Sequence, residues 1–392
     1  YYTAIRNREK SLSLGWALER AARLYPDNPA VLDGQRRISY ALFNGWANRL
    51  ARAFKAEGVG HGSVVAVMLE NRVELLAILA ALAKLGAIGA LVNTTQRGKV
   101  LVHSLNLVKP GHFVVGEELR EVFEEVRQEV LGNAGHCYWV DDGDTLGDPG
   151  SPPMGWRNLM RLAQGQTSEN LEDTGRVRLK DSCFYIYTSG TTGLAKPVPV
   201  PLKAILAFVG YLREAVDLRP EDAFWNLADP GWAYGLYYAV AGPLAMGHPT
   251  TFYEGPFSVE STCRIIRDYG ITNLAGSPTA YRLLMAAGAA AETALKGRLR
   301  AVSSAGEPLT PEVIRWFADR LGTTIHDHYG QTELGMVLCN HHALAHPVRV
   351  GAAGFACPGH RVVVLDDDLN ELPPGQPGIL ALDRRRSPLM WF

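Results

Sequence analysis

Residues 183–196 constrain the possible folds of this chain more than any other segment. Residues 183–187 form an apolar run with aromatic and β-branched side chains, which predicts a buried strand. A run made only of Thr, Ser and Gly follows at 188–193, and the segment ends at Lys196. Glycines allow a tight turn and close approach to a ligand, and backbone N–H groups, hydroxyls and a lysine suit phosphate. The segment therefore predicts a polyphosphate-binding loop after a buried strand.

This loop differs from the Walker A phosphate loop, in which the lysine is followed by Ser or Thr. Here Pro197 follows Lys196, so no hydroxyl comes next and no helix begins there. Composition alone leaves another interpretation open, namely a polar surface turn between two strands.

Two later segments agree with the phosphate-loop interpretation. Residues 303–308 read Ser-Ser-Ala-Gly-Glu-Pro, and residues 327–333 read Asp-His-Tyr-Gly-Gln-Thr-Glu. With Tyr-Thr-Ser-Gly-Thr-Thr-Gly-Leu-Ala-Lys at 187–196, in this order, the chain resembles the adenylate-forming (ANL) superfamily. That superfamily contains the acyl-CoA synthetases (the AMP-dependent synthetase and ligase family), peptide-synthetase adenylation domains and luciferases. The resemblance covers essentially the whole chain and corresponds to the family's large N-terminal domain.

Strands that alternate with helices predict parallel βαβ units. We expect helices at 11–25, 41–57, 73–85, 101–107, 119–131, 156–163, 202–217, 237–246, 258–269, 278–287 and 311–321. We expect strands at 38–40, 63–69, 87–92, 113–115, 183–187, 223–227, 250–253, 271–275 and 299–303. Prolines at 197, 199 and 201 predict an edge strand, because proline lacks the N–H that pairs with a neighbour.

The expected fold class is α/β, with two doubly wound βα subdomains and a small β-barrel-like subdomain. The expected boundaries are 1–180 for the first βα subdomain, with a loop excursion at 141–182, then 181–333 for the second and 334–392 for the β-subdomain. By resemblance, a mobile C-terminal domain with a second catalytic lysine would follow Phe392. The chain begins with Tyr1 rather than Met, so we expect it to be incomplete. Alone, it should bind ATP and acid but turn over poorly.

Composition excludes several classes of protein. The 39 Lys and Arg residues balance 40 Asp and Glu, which argues against a nucleic-acid partner. Apolar residues make up 47% of the chain and charged residues 20%, so a sizeable core is expected. Five scattered cysteines favour a reducing, cytoplasmic compartment. Residues 75–92 approach the length of a membrane span, but Lys84 and Gly86 interrupt them, so we expect a buried helix and a strand instead.

The resemblance assigns roles around the phosphates of ATP. It implies that Thr188, Ser189, Gly190, Thr191, Thr192 and Gly193 embrace the β- and γ-phosphates, with Lys196 neutralising their charge. Thr332 should hydrogen-bond the α-phosphate, and Glu333 should bind Mg²⁺, which prefers hard oxygen ligands. Lys196, Thr332 and Glu333 are thus the expected catalytic residues. By themselves, Thr332 and Glu333 would favour a helix N-terminus with an acid in its first turn, and only the other two motifs favour the phosphate site.

The resemblance also implies how adenine is bound. The base should stack on the ring of Tyr329, and the backbone of Gly306, Glu307 and Pro308 should cover its other face. Asp327 should accept a hydrogen bond from the exocyclic amine. The motif adds two further ATP contacts, His328 and Gln331. A single tyrosine such as Tyr329 could also be a core residue.

The segment Asp-Pro-Gly-Trp-Ala-Tyr-Gly at 229–235 resembles the acyl-pocket segment of short-chain acyl-CoA synthetases. By that resemblance, Trp232, Ala233 and Tyr234 should line the acyl pocket. Acetate-selective relatives carry a bulky indole at the position of Gly330. A glycine there leaves the pocket open, which predicts an acid larger than acetate. The alternative is that the backbone conformation requires this glycine.

Two clusters could have other uses. The first could bind zinc, although its spacing matches no common zinc pattern; its members are His326, His328, Cys339, His341, His342 and His346. The second is Arg-Arg-Arg at 384–386, which could bind an anion such as the phosphates of CoA, or could be a solvated charge run.

The leading hypothesis is an AMP-forming acyl-CoA ligase that uses ATP with Mg²⁺, a carboxylic acid and the co-substrate CoA. An adenylation domain that loads a carrier protein is one alternative. A catalytically degenerate, nucleotide-binding regulatory protein is another. The sequence departs from the family at Ala195 and Pro197, which flank the loop lysine, and at Pro201, where many relatives have histidine. The sequence does not decide whether the protein forms a homodimer.

Overall fold

A computed structural model describes residues 13–34, 36–131, 135–143, 150–189 and 195–392. The strands are β1 (Pro29–Asp33), β2 (Arg36–Ser39), β3 (Val64–Met68), β4 (Ile88–Leu91), β5 (His112–Gly116), β6 (His136–Val140), β7 (Arg157–Asn158), β8 (Ser182–Ser189), β9 (Ala195–Pro201), β10 (Phe224–Asn226), β11 (Thr250–Phe252), β12 (Asn273–Gly276), β13 (Ala301–Ser304), β14 (Ile325–Gln331), β15 (Gly335–Cys339), β16 (Phe355–Ala356), β17 (Val362–Leu365) and β18 (Ile379–Leu382).

The helices connect these strands at nearly all the expected places. They are α1 (Leu14–Leu24), α2 (Tyr40–Ala56), α3 (Val73–Leu85), α4 (Gly98–Val108), α5 (Glu117–Leu131), α6 (Leu159–Gln164), α7 (Ala204–Glu214), α8 (Ala233–Gly235), α9 (Gly242–Met246), α10 (Val259–Asp268), α11 (Pro278–Ala286), α12 (Ala289–Leu295) and α13 (Pro311–Trp316). Leu236–Ala241 and Phe317–Leu321 are π-helical, and Glu172–Gly175 and Arg384–Arg386 are short 3₁₀ turns.

The chain divides into two compact units. The first comprises Tyr1–Leu202, Asp229–Leu236 and Pro243–Gly255, and the second comprises Lys203–Ala228, Tyr237–Gly242 and Pro256–Phe392. A separate β-subdomain over 334–392 stays a prediction.

The main sheet of the first unit has the strand order β7-β6-β5-β3-β4-β8-β9. All neighbours are parallel except β9, which runs antiparallel to β8. The order reverses at β3, because β4 lies on one side of it and β5 on the other, as in doubly wound sheets. Strand β9 is an edge strand, which confirms the prediction from its alternating prolines.

The apolar stretch 75–92 consists of most of helix α3 followed by strand β4. All side chains of α3 are buried, and Gly86 ends the helix at a φ of +65° before β4 begins. The stretch is therefore a buried helix followed by a strand, as predicted. Lys84 is 0% exposed, and its ammonium pairs with Glu19 at 2.9 Å; burial lowers its pKa to about 8. Within the described ranges, none of the helices is both long and apolar enough to cross a bilayer.

A smaller sheet of the first unit has the order β11-β1-β2, with β1 parallel to β11 and antiparallel to β2. The strand expected at 38–40 ends one residue earlier than predicted. Ser39 caps α2 instead, since its hydroxyl accepts from the N–H of Leu42 at 3.3 Å. Tyr40 is therefore the first helical residue.

The second unit contains a sheet of order β10-β12-β13-β14-β15-β16. Its first four strands are parallel, and β15 and β16 continue it in the antiparallel sense. Strands β17 and β18 form a separate antiparallel pair. Parallel strands joined by helices in both units confirm the predicted α/β class.

Candidate functional site

The predicted phosphate loop connects β8 and β9 in the first unit. Thr188 pairs with Lys196 across these antiparallel strands, and Ser189 pairs with Ala195. Thr188 is half-buried and Lys196 is exposed. Gly190, Thr191, Thr192 and Gly193 lie outside the described residues, as does the side chain of Ser189, so their phosphate contacts stay predictions.

Helix α4 holds the two strands that lead into and out of this loop. The hydroxyl of Tyr187 donates to the backbone carbonyl of Ser104 at 2.9 Å, and Nε2 of His103 donates to the carbonyl of Ala195 at 3.2 Å. Tyr187 belongs to the buried apolar cluster of the first unit. The base of the hairpin is thus anchored to a packed helix.

In the second unit, Thr332 and Glu333 lie in the turn between β14 and β15. The N–H of Leu334 donates to the carbonyl of Gln331 at 3.1 Å, and Gly335 has a φ of +67°. These two residues are therefore in a β-hairpin, and the helix-cap alternative is wrong. Glu333 is half-buried, and its carboxylate makes no ion pair with any residue that the structure describes. A carboxylate free of protein cations is suited to a metal ion.

Gly330 lies where β14 and β15 pair irregularly. A Cβ atom at this position would lie 2.7 Å from the carbonyl carbon of Gly335 and 2.8 Å from Cα of Met336. The backbone alternative raised from the sequence is thus supported, since any side chain here must displace the opposite strand.

Asp327 presents an unpartnered acceptor in β14. In the described part of the chain, no group hydrogen-bonds its buried Oδ1 atom. Burial raises the pKa of this carboxyl to about 6, although the backbone N–H groups of His328 and Leu309 partly counter the rise. Asp327 lies opposite Ser304 of β13, a fully buried residue whose Oγ also lacks a partner among the described residues. A ligand with a hydrogen-bond donor would satisfy Asp327.

His328 uses its imidazole within the second unit. Its Nε2 donates to the carbonyl of Asn340 at 3.1 Å, so Nδ1 must accept from the hydroxyl of Tyr211 at 2.7 Å. Burial lowers its pKa well below the usual value, which keeps the ring neutral. The imidazole of His328 is therefore engaged within the second unit, and its predicted nucleotide contact stays a prediction. The N–H of Asn340 also donates to the Asp327 carbonyl, at 3.2 Å.

Tyr329 and Gln331 lie on the outer side of β14. Tyr329 is 36% exposed, so it is not the core residue of the alternative interpretation. The amide of Gln331 donates to the Tyr329 hydroxyl at 3.0 Å. The ring is therefore held at one edge and has an accessible surface on which a base could stack.

The segment Gly306, Glu307 and Pro308 is exposed after β13. Gly306 has a φ of +101°, which favours glycine. The Glu307 carboxylate accepts from Arg282 at 2.9 Å and from Thr279 at 2.9 Å, and the Arg282 hydrogen bond lowers its pKa. Both partners come from α11, so the Glu307 side chain fixes the loop and the backbone remains for the base.

The predicted acyl-pocket segment begins at Asp229 in the first unit. Burial raises the pKa of Asp229, whose Oδ1 accepts from the N–H of Gly231 at 2.5 Å. Trp232 is 52% exposed, while Ala233 and Tyr234 at the start of α8 are half-buried. An indole with that exposure is available to contact a ligand.

The proposed zinc cluster is engaged in other contacts. The rings of His326 and His342 stack with centroids 3.7 Å apart, and the buried sulfurs of Cys339 and Cys357 lie 3.2 Å apart. Among the residues described, no three His, Cys, Asp or Glu side chains have the geometry to hold a metal. In Arg384–Arg386, Asp383 caps the turn and accepts from two of its N–H groups. A role in anion binding stays a prediction.

Sequence reasoning missed the contacts that hold these motifs in place. Tyr211, Thr279 and Arg282 each hydrogen-bond a motif residue from a distant part of the chain, and Asn340 does so from the end of the strand pair that contains the motif. None of these four residues is marked by a motif in the sequence.

Comparison with known proteins places the chain in a family. The model of the AMP-binding enzyme family matches residues 18–386, so the chain belongs to this family. A crystal structure of a Brucella canis acyl-CoA synthetase has 41% sequence identity and a TM-score of 0.88; the match covers 96% of this chain and 68% of that one. An anthranilate CoA ligase solved with anthranoyl-AMP, at 22% identity and a TM-score of 0.87, shares the fold over 96% of this chain and 70% of that chain.

Curated relatives agree with this assignment. The acetyl-coenzyme A synthetase of Bacillus subtilis (strain 168) is 30% identical over 379 residues, which are 94% of this chain and 64% of the relative. That of Methanothrix thermoacetophila is 29% identical over 93% of this chain and 56% of its own length. The chain thus spans less than two thirds of the length of each of these relatives.

Proposed function

We propose that this protein joins a carboxylic acid to AMP, using ATP, and then transfers the acyl group to CoA. The unpartnered Oδ1 of Asp327 supports this most directly, because a buried acceptor with a raised pKa suits the exocyclic amine of adenine. Membership of the AMP-binding enzyme family agrees with the proposal.

In the proposed reaction, an oxygen of the acid attacks the α-phosphorus of ATP and forms a new O–P bond. The bond between the α-phosphorus and the bridging oxygen breaks, and pyrophosphate leaves. Thr332 would donate to the α-phosphoryl oxygens, while Thr188 and Lys196 would bind phosphate. The thiol of CoA then displaces AMP from the acyl-adenylate.

Mg²⁺ fits the residues present. This ion is commonly held by one or two carboxylates and substrate phosphates rather than by a full protein cage. Glu333 offers one half-buried carboxylate without a protein cation beside it in the described structure. Bound there, Mg²⁺ would neutralise charge on the phosphates.

The acid is proposed to be larger than acetate. Gly330 adds no side chain to the proposed pocket, although its close approach to Gly335 explains the glycine equally well. The relatives include acetyl-coenzyme A synthetases, so measuring activity with acids of different chain length tests this proposal directly. A cytoplasmic location is also proposed, supported by five free cysteines, and a homodimer stays a prediction.

The role of Glu333 can be tested by the substitution Glu333→Gln, with the protein expressed from its complete gene. Acid-dependent exchange of pyrophosphate into ATP should require at least about tenfold more Mg²⁺, because a charged ligand oxygen is lost. Glu312→Gln, at an exposed position of α13, is the matched control and should leave the requirement unchanged. An unaltered Mg²⁺ dependence in Glu333→Gln would remove this carboxylate from the proposed site.

A further inference from the structure

Two consecutive tyrosines contact the turn that carries Thr332 and Glu333. The Tyr237 hydroxyl donates to the backbone carbonyl of Thr332 at 2.7 Å. The Tyr238 hydroxyl accepts from the N–H of Met336 at 2.9 Å. The first bond holds the start of the turn and the second holds the strand that leaves it.

Both tyrosines belong to the π-helical segment Leu236–Ala241. Such segments are rare and are frequently found at functional sites. Neighbouring residues on a helix point in different directions, so two adjacent hydroxyls can reach two separate points of one turn. Tyr237 and Tyr238 are each 1% exposed, and their rings lie nearly perpendicular, at 87°.

An aromatic cluster fixes the rings. Phe208 stacks on Tyr237 with centroids 4.3 Å apart, and Trp391 meets Phe208 edge-on at 5.5 Å. Burial raises the pKa of Tyr238 well above its usual value, so its hydroxyl stays neutral. A Cβ atom on Gly335 would lie 2.7 Å from the Trp391 ring and 2.8 Å from the Tyr238 hydroxyl. The turn therefore rests directly on the cluster.

We propose that Tyr237 and Tyr238 are positioning residues that hold the Thr332–Glu333 turn in the geometry needed for adenylate formation. This inference rests on the proposed function, which assigns the α-phosphate and Mg²⁺ to that turn. Neither tyrosine is required to touch a substrate. Each acts through the backbone, Tyr237 at the carbonyl of Thr332 in the turn and Tyr238 at the N–H of Met336 in β15.

The substitution Tyr237→Phe tests the inference, because it removes one hydroxyl and keeps the ring that stacks on Phe208. Acid-dependent pyrophosphate exchange should fall roughly fivefold, the effect of one hydrogen bond of about 1 kcal/mol. The Mg²⁺ concentration for half-maximal exchange should rise, which a purely structural role would not cause well below the melting temperature. Tyr238→Phe should act in the same direction.

Tyr138→Phe is the matched control. It removes another fully buried hydroxyl, which contacts His112 at 3.2 Å in the first unit and lies outside every motif. This variant should lose stability without a change in Mg²⁺ dependence. If Tyr237→Phe does not fold, Tyr238→Phe decides the question by the same readouts.

Hydrogen exchange of the peptide covering 332–336 separates this inference from the proposed function. In Tyr237→Phe these amides should exchange faster than in the wild type, while those of Tyr138→Phe should not. Unchanged exchange in this peptide, or unchanged Mg²⁺ dependence alongside active wild type, overturns the positioning role. The wild type could be inactive in pyrophosphate exchange while the amides of 332–336 still exchange faster in Tyr237→Phe. That result would refute the proposed function and leave the tyrosines only the role of holding the turn.

Discussion

Asp327 can change its charge in the range of pH at which enzymes work. Burial raises its pKa to about 6, so the carboxyl is ionised at neutral pH and protonated in mild acid. An ionised acceptor forms a stronger hydrogen bond to an amine than a neutral one.

Binding of ATP should therefore weaken as pH falls through about 6. We expect the dissociation constant to rise roughly fivefold between pH 7.5 and pH 5, the difference between a charged and a neutral hydrogen bond. In Asp327→Asn the dissociation constant should change less over the same range, because only the terminal phosphate of ATP then still titrates there. Calorimetric titration measures both, and an identical pH profile in the two proteins would exclude Asp327 as the titrating group.

Gly330 permits the close approach of β14 to β15. In Gly330→Ala, the new Cβ would lie 2.7 Å from the Gly335 carbonyl carbon, so the hairpin must shift. We expect a loss of about 2 kcal/mol in the free energy of unfolding, typical of overpacking. Gly111→Ala, where an added Cβ would meet nothing within 4 Å, is the control for thermal unfolding. Equal melting temperatures for both variants would show that the hairpin accommodates the methyl group.

On the scale of elements, β14 carries the buried His328, and the segment after β15 carries the half-buried His342. Burial lowers the pKa of His342 to about 3 and that of His328 well below the usual value. The unfolded chain takes up these protons near pH 6.5 while the folded chain does not. Stability from these histidines is thus complete above pH 6.5 and is lost as pH falls below it.

His342→Gln should reduce this acid sensitivity. At pH 5, the neutral ring of His342 costs the folded state roughly 2 kcal/mol relative to the unfolded chain. The fall in melting temperature between pH 7.5 and pH 5 should therefore be smaller in His342→Gln than in the wild type. His136→Gln, which removes an exposed imidazole, should keep the wild-type slope. A slope that does not change in His342→Gln would mean that this ring is protonated in the fold.

On the scale of the whole molecule, regular alternation made the fold readable from the sequence. The buried runs β3, β4 and β5 are apolar on both faces, as parallel strands between helices must be. Lys84 did not obscure the interpretation of 75–92, because a single paired lysine can lie in a buried helix.

The local structure of the sequence motifs could be predicted from the sequence less well than the overall fold. The turn at Thr332 and Glu333 carries residues that also begin helices, so local propensity could not separate a cap from a hairpin. The bond from Tyr237 to Thr332 joins residues 95 positions apart. The tight packing at Gly330 likewise depends on the partner strand. Contacts of this kind arise only when the chain is folded.

The most direct test of the proposed function is acid-dependent exchange of pyrophosphate into ATP by the full-length gene product, measured over acids of graded chain length and several aromatic acids. The protein should catalyse exchange, with a maximum for an acid larger than acetate. A maximum at acetate would contradict the pocket proposed around Gly330. If the protein binds ATP but catalyses no pyrophosphate exchange with any acid, adenylate formation is contradicted. A regulatory, nucleotide-binding protein is then favoured.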